Sequence, residues 1–343
     1  MGLRSYIIRR LLLTIPTLIG VTLLIFAVTQ FFSPKARASV YMTSPNQWKD
    51  VDLIIAQYHL NESFFIQYRT WIEQIMRGNF GVSKTYDMPV VQALWKRFPA
   101  TLELVIFSVP LTILLGVYLG VQSAVHQNKV IDHVTRSLSI IGWSLPTFWF
   151  AILLLALFYA QTGWFPPERL GIAANTLVKS TDFTRYTGLN TVDGLLNGQL
   201  WVTLDALRHL VLPVVTLTVV QIALIIRIMR SSMLEALSKG YMVTARAKGL
   251  SKSTVINKHA RRNALIPVVT VTGILAAGML TGVVITETVF ALHGLGEFAA
   301  FAATQLDIAA VLGFALLSGI VFIFANLIVD IAYAYVDPRI RLG

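Results

Sequence analysis

A basic stretch, residues 233–267, reads MLEALSKGYMVTARAKGLSKSTVINKHARRNALIP and lies between two long apolar segments. Glu235 is its only acid, and its basic residues are Lys239, Arg246, Lys248, Lys252, Lys258, Arg261 and Arg262. Gly249 is typical of a residue that ends a short helix, and Ser251 or Ser253 can cap the next one. That second helix runs directly into an apolar segment. The pattern therefore predicts a hairpin of two helices that protrudes from a membrane.

The composition indicates a membrane protein. Of the 343 residues, 55% are hydrophobic and 13% are charged, which lies outside the usual range for soluble domains. A formal net charge of +11 could indicate a nucleic-acid-binding protein, but that function requires a positively charged soluble face. We therefore expect no nucleic-acid partner. The chain has no cysteine, which excludes disulfides and thiolate metal sites, and we expect no bound metal.

Six apolar segments are long enough to cross a bilayer, which requires about 20 helical residues. They are Leu11–Phe32, Phe98–Val125, Ser137–Pro167, Leu210–Ile226, Asn263–Thr286 and Ile308–Val329. The first exceeds the roughly 7 to 15 apolar residues of a cleaved signal sequence, so we expect it to be retained as a span. The predicted fold class is all-α, a polytopic membrane protein with six transmembrane helices.

The charged residues predict the orientation. If the N-terminus is cytoplasmic, the segments on the inner side hold sixteen lysines and arginines and three acids, whereas those on the outer side hold twelve of each. Basic residues favour the cytoplasmic side of a membrane. We therefore expect both termini and the basic hairpin in the cytoplasm.

The segment between the first two spans, residues 33–97, is predicted to fold as a small helical insertion on the outer face. Hydrophobic residues recur at helical spacing from Trp48 to Tyr58 and from Phe65 to Met76. Gly78 is placed to end the second of these helices. Its aromatic residues either form the core of the insertion, which is favoured, or contact a partner or a sugar.

The hairpin carries a more specific pattern. Residues 241–250 read YxxTARAKGL, formed by Tyr241, Thr244, Ala245, Arg246, Ala247, Lys248, Gly249 and Leu250, and residues 259–267 read HARRNALIP. These residues resemble the cytoplasmic coupling loop of permease subunits in ATP-binding-cassette importers, in the dipeptide/oligopeptide permease B-type branch. RFPATLEL at 97–104, TETVF at 286–290 and VDPRIR at 336–341 extend the resemblance along nearly the whole chain. One departure is Val243, where importers generally have a glutamate.

The resemblance implies a type I importer permease fold in a prokaryotic cell membrane. Residues 1–32 would form the N-terminal tail and first helix, residues 33–97 an extracytoplasmic insertion, and residues 98–343 the core permease domain. The cytoplasmic coupling loop would be residues 231–262. Within it, the contact with the ATPase would be the eight residues of the YxxTARAKGL pattern.

The resemblance also implies the partners. They are a second homologous permease subunit, two cytoplasmic ATPase subunits that bind the ATP, and an extracytoplasmic solute-binding protein. This chain would itself bind no cofactor. The branch carries dipeptides, oligopeptides, nickel chelates or oligosaccharides, and peptides are the first choice here, with oligosaccharides second.

Three residues are candidates for the pathway or its gate. Glu103 is predicted in the first turn of the second span, where a helix N-terminus favours a carboxylate, so a structural role is preferred over a gate. Ser144 and Pro146 lie in the third span, where proline removes a backbone donor and can kink the helix. Such breaks often line cavities in transporters, and both pore lining and plain packing remain open here.

Two segments on the inner side carry basic residues for which we expect no catalytic or metal-binding role. Residues 126–136, which include Asp132, are expected to form a solvated basic turn. Arg227 and Arg230 lie on one helix face at the inner boundary, where they either bind lipid phosphate or brace the hairpin.

The chain lacks the motifs of the common catalytic sites. It contains no Gly-x-x-x-x-Gly-Lys-Ser/Thr loop for ATP phosphates and no His-Glu-x-x-His or Gly-x-Ser-x-Gly sequence. We therefore expect a non-catalytic subunit. An ion-driven secondary transporter is the alternative, but it requires ionisable groups near the membrane midplane, whereas Glu103 and Asp330 are both shallow.

Overall fold

The computed structural model describes the backbone of residues 3–336 and the side chains of residues 8–328 other than Arg10, so the Asp330 side chain and most of the VDPRIR motif lie outside it. The helices are α1 Leu3–Thr29, α2 Pro34–Arg37, α3 Val51–Gln57, α4 Phe64–Met76, α5 Val90–Val125, α6 Val130–Ser144, α7 Thr147–Leu155, α8 Ile172–Val178, α9 Asn190–Leu196, α10 Leu200–Ser238, α11 Gly240–Ala247, α12 Lys252–Thr254, α13 Arg261–Leu280, α14 Val284–Val289, α15 Leu295–Thr304 and α16 Ile308–Val336. Short 3-10 helices cover Ala38–Val40 and Pro45–Asp50, and π-helical turns cover Ala156–Ala160 and Val255–Ala260. The strands β1 Val82–Ser83 and β2 Met88–Pro89 pair antiparallel.

Helices that could span a membrane match the six predicted segments. Within the described residues, α1, α5, α10, the continuous run from α12 to α13, and α16 each contain a sufficiently long apolar stretch. The remaining span is a pair, α6 and α7, bent by 98° at Leu145 and Pro146. The all-α polytopic fold class is therefore confirmed.

Some helix boundaries differ from the prediction. α5 begins at Val90 rather than Phe98, and one face of its first turns is buried, with Val90 and Leu94 inside the core. α13 ends at Leu280 rather than at Thr286. Hydropathy alone could not place these ends, since apolar residues continue on both sides of them.

Glycines allow the two longest helices, α5 and α10, to pack closely. A Cβ atom on Gly116 would lie 2.6 Å from Ile225 Cγ2, and one on Gly120 would lie 2.7 Å from Met229 Cβ. Small residues at such contacts let membrane helices gain van der Waals packing. α6 packs against both helices, α13 packs against α10 and α16, and α1 packs against α16. We call the end of this bundle that carries residues 231–262 the hairpin end and the opposite end the insertion end.

The insertion packs onto α1, and aromatic residues form its core as expected. Trp71 is fully buried, and its ring centroid lies 5.3 Å from that of Phe26 in α1. Arg37 is also buried and donates hydrogen bonds to Gln67 and to the Leu60 carbonyl oxygen. Burial lowers the pKa of this guanidinium. The aromatic cluster fixes the insertion to the first span, and the buried arginine joins segments within the insertion.

The chain between α13 and α16 folds back over the insertion end. Gly282 adopts φ +104°, and a Cβ atom there would lie 2.4 Å from the backbone nitrogen of Gly296. Glu287 is buried and accepts hydrogen bonds from the Thr101 hydroxyl at 2.7 Å and from the Glu297 N–H at 2.9 Å. These contacts join α14 and α15 to α5.

The turn at Gly282 generates a stability prediction. We expect Gly282→Ala to lower the free energy of unfolding by about 1–3 kcal/mol, because alanine is strained at this φ and its Cβ clashes with backbone atoms. Gly278→Ala is the matched control, since this helical glycine has no atom within 4 Å of a Cβ position. The control should change the free energy by less than about 1 kcal/mol. Thermal unfolding of the purified variants measures both, and equal melting temperatures would contradict the strained turn.

Candidate functional site

The hairpin folds as its sequence predicts. α11 ends at Ala247, and Gly249 turns the chain in the left-handed conformation with φ +73°. Ser251 then caps α12, because its hydroxyl oxygen accepts a hydrogen bond from the Thr254 N–H. α12 continues through the π-helical turn Val255–Ala260 into α13. The second arm of the hairpin therefore runs without interruption into the fifth span.

One face of α11 packs against the bundle and the other is exposed. Met242 is fully buried and Ala245 nearly so, in an apolar cluster with Met233 and Val255. Helical spacing places Ala245 beside Met242, on the buried face of α11. Of the eight predicted contact residues, only Ala245 is buried. The exposed members are Tyr241, Thr244, Arg246, Ala247, Lys248, Gly249 and Leu250.

A cavity of about 370 Å³, here called the hairpin groove, lies where the two arms meet the hairpin-end residues Val125 of α5 and Leu237 of α10. Leu250, Val255 and Ile256 give it an apolar lining, and Arg246 and Lys252 border it. An apolar groove flanked by cations suits an apolar side chain presented by an acidic surface.

A buried ion pair holds the base of the hairpin. The Arg230 guanidinium donates from Nε to Asp132 Oδ1 at 2.7 Å and from Nη2 to Oδ2 at 2.8 Å. Asp132 also accepts hydrogen bonds from the Ser123 hydroxyl at 2.5 Å and from the Asn128 N–H at 2.9 Å. Its side chain has no exposed surface. The pair thus joins α5, α6 and α10 where α10 leaves the bundle to become the hairpin.

This geometry corrects one sequence interpretation and favours one of two alternatives in another. Asp132 does not lie in a solvated turn, because α6 already begins at Val130 and turns the carboxylate toward α10. Arg230 is paired with that carboxylate and braces the hairpin, whereas the Arg227 guanidinium lies 5.6 Å from the ring centroid of Trp143. A single acid in a short basic turn was the only sequence signal for the pair. Nothing local indicates a partner 98 residues away.

Glu103 makes structural contacts, although not those expected. Because α5 begins at Val90, Glu103 lies inside the helix and not in its first turn. The buried carboxylate accepts hydrogen bonds from Arg169 Nη2 and from both the N–H and the hydroxyl of Thr191, each at 2.8 Å. These contacts fasten the loop between the third and fourth spans to α5. They support the structural alternative over a gate.

Ser144 and Pro146 flank the break in the third span. Leu145 and Pro146 have extended backbone conformations with ψ 125° and 127°. The kink predicted at the proline is therefore confirmed. Ser144 and Pro146 are exposed in the single chain, and Ser144 lines a cavity of about 470 Å³ between α6 and α10. The third pathway candidate, Glu103, does not lie at this break, because its contacts are at the insertion end.

The acidic side chains of the described region do not form a metal site. No group of three or more histidine, aspartate or glutamate residues there is placed to hold a metal ion. The buried carboxylates of Glu103, Asp132 and Glu287 each accept hydrogen bonds from neighbouring segments. Their arrangement indicates an architectural role.

The buried ion pair generates a second prediction. Asp132→Asn should lower the free energy of unfolding by about 3–5 kcal/mol, because Arg230 then remains in the bundle without a counter-charge. Glu235→Gln is the control, since it breaks the exposed pair with Lys239 and should cost less than about 1 kcal/mol. Denaturant unfolding of the purified variants measures both losses. Adding Arg230→Gln to Asp132→Asn should recover part of the loss, and equal losses in the two single variants would refute the assignment.

Comparison with known proteins shows the family. A family model described as "Binding-protein-dependent transport system inner membrane component" matches residues 112–342. The dipeptide transport system permease protein of Escherichia coli K12 is 36% identical over 340 residues, which cover 98% of each chain. The dipeptide transport system permease protein of Alkalihalophilus pseudofirmus is 34% identical over 339 residues. The oligopeptide transport system permease protein of Bacillus subtilis 168 is 33% identical over 338 residues. Each of these two matches covers 98% of this chain and 99% of the relative. The chain therefore belongs to the family of binding-protein-dependent transport system inner membrane components.

Proposed function

We propose that the chain is the permease subunit of a peptide importer and forms half of the path through the membrane. Membership of the family supports a transport role, and the names of the relatives specify dipeptides and oligopeptides. The observation that carries the proposal is a hairpin that exposes a basic arm and is fixed to three spans by a buried ion pair. Separate ATPase subunits bind and hydrolyse the ATP.

The hairpin end faces the cytoplasm in this proposal, as do both termini. The charge asymmetry supports this orientation, because sixteen basic and three acidic residues fall on that side, against twelve of each on the other. The insertion end then faces outward. There the insertion and the loops around Glu103 and Glu287 form a folded surface to which a solute-binding protein delivers the peptide.

A second, similar permease subunit completes the path, and one ATPase subunit docks on each hairpin. Interrupted helices at membrane depth are tolerated where they are covered by protein or line a water-filled cavity. The break at Leu145 is such an interruption, and the flanking Ser144 and Pro146 are exposed in the single chain. This supports Pro146 facing the path between the two subunits, whereas Ser144 lines the cavity between α6 and α10.

Coupling follows from the attachment of the hairpin. When the ATPase subunits move together on binding ATP, α11 moves with them. Because Met242 packs against α10 and the second arm, and Asp132 binds Arg230, the displacement passes to α5, α6 and α10. Coupling also requires that the docked hairpin interact differently in the two states of the transporter.

The exposed face of the hairpin defines the chemistry of its partner. Tyr241, Val243 and Leu250 are 42%, 65% and 39% exposed, and Arg246 and Lys248 lie among them. Apolar anchors surrounded by cations suit an ATPase surface with an apolar projection and flanking acids.

Charge reversal on α11 tests this contact. Arg246→Glu combined with Lys248→Glu should leave membrane insertion intact and reduce peptide-stimulated ATPase activity at least about tenfold, because like charges then oppose docking. Gly249→Pro should have the same effect, since proline cannot adopt the positive φ at this position. The measurement is ATP hydrolysis by the reconstituted complex with its binding protein and peptide.

The control reverses two exposed charges on the other arm. Lys258→Glu with Arg262→Glu changes the net charge of the hairpin equally but lies outside the proposed contact. It should retain most of the stimulation. Normal stimulation in the Arg246/Lys248 variant would overturn the assignment of α11 as the contact.

A further inference from the structure

A groove between α6 and α10 lies outside the hairpin contact and has one member of the buried ion pair, Arg230, in its lining. Arg136, Ser139 and Trp143 recur at helical spacing on α6, and Ala223, Arg227 and Arg230 do so on α10. The two stripes face each other across the cavity of about 470 Å³. We call this cavity the arginine groove.

The arginine groove carries uncompensated positive charge. Arg230 is neutralised by Asp132. Arg136 and Arg227, by contrast, have no carboxylate oxygen within 4.0 Å among the residues that the structure describes. Two guanidiniums therefore remain available to an anion.

The groove is polar toward the hairpin end and apolar toward the middle of the bundle. Because α6 and α10 run antiparallel, Arg136 and Arg230 lie at the hairpin end, and Trp143 and Ala223 lie further along the bundle. Ile140, also in the lining, is 64% exposed and Trp143 is 53% exposed, so the apolar part is open at the side. An occupant that matches both parts has an anionic head and an apolar tail.

We propose that the arginine groove binds the phosphate of an anionic phospholipid, with the acyl chains against Ile140 and Trp143. Basic pockets between membrane helices on the cytoplasmic side suit such headgroups, and this leaflet is the anionic one. The choice of leaflet rests on the orientation given under the proposed function. Because Arg230 lines the same groove, a bound lipid lies directly beside the ion pair that holds the hairpin.

The experiment measures lipid retained by the complete purified transporter. The complex is reconstituted in nanodiscs that contain phosphatidylcholine and phosphatidylglycerol. It is then released from the nanodiscs, and native mass spectrometry identifies the lipids that stay bound to it. The wild type should retain phosphatidylglycerol in preference to phosphatidylcholine. Arg136→Gln with Arg227→Gln should reduce this retention roughly 25-fold, since each arginine contributes about a factor of five to anionic lipid binding.

Two further variants make the result specific. Lys179→Gln with Arg185→Gln removes the same charge from exposed positions at the insertion end and should leave retention unchanged. Arg136→Lys with Arg227→Lys keeps the charge and should restore most of the retention. If the glutamine variant retains as much phosphatidylglycerol as the wild type, the proposal is wrong.

Competition distinguishes a lipid from a soluble anion. Excess inorganic phosphate or dipeptide should fail to displace the retained phosphatidylglycerol, because neither fills the apolar part of the groove. Displacement by either would overturn the proposal and assign the groove to a soluble anion or to the transported solute. If the wild-type complex retained phosphatidylglycerol normally but showed no peptide-stimulated ATPase activity, that result would count against the proposed function and not against the lipid site.

Discussion

The buried contact between Asp132 and Arg230 is the constraint on which the hairpin depends. Removing two charges from water is costly, and a buried pair is tolerated only when its remaining hydrogen-bonding groups are satisfied. Here the Asp132 oxygens accept two hydrogen bonds from Arg230, one from the Ser123 hydroxyl and one from the Asn128 N–H. Because these donors come from α5, the turn before α6, and α10, the pair fixes the three segments relative to one another. The first arm of the hairpin leaves the bundle directly beyond this point.

Buried carboxylates hold both ends of the bundle. At the insertion end, Glu103 pairs with Arg169 and accepts a hydrogen bond from the Thr191 hydroxyl, while Glu287 and Asp307 accept hydrogen bonds from the hydroxyls of Thr101 and Ser83. Those contacts fasten the loops at this end to the spans. At the hairpin end, one ion pair and the cluster around Met242 join the exposed hairpin to the helices. This arrangement provides a rigid connection from the surface proposed to contact the ATPase to the helices proposed to line the path.

The sequence predicts the features that rest on local signals and misses those that rest on distant contacts. Gly249 and Ser251 end and begin helices through their own backbone and hydroxyl preferences, so the hairpin could be predicted, as could the spans from their hydropathy. The start of α5 and the Asp132–Arg230 pair depend on segments far away in the chain. Burial of Ala245 follows from helical phase relative to Met242, which the motif alone does not reveal.

The absence of native cysteines permits a direct test of where the hairpin lies and what covers it. A single cysteine in Lys248→Cys would be treated with a membrane-impermeant maleimide in sealed cells and in inside-out vesicles, with and without the ATPase subunits. The account predicts no labelling in sealed cells, rapid labelling in stripped vesicles, and protection when the ATPase subunits are restored. Labelling from outside sealed cells, or equal labelling with and without the ATPase subunits, would contradict it.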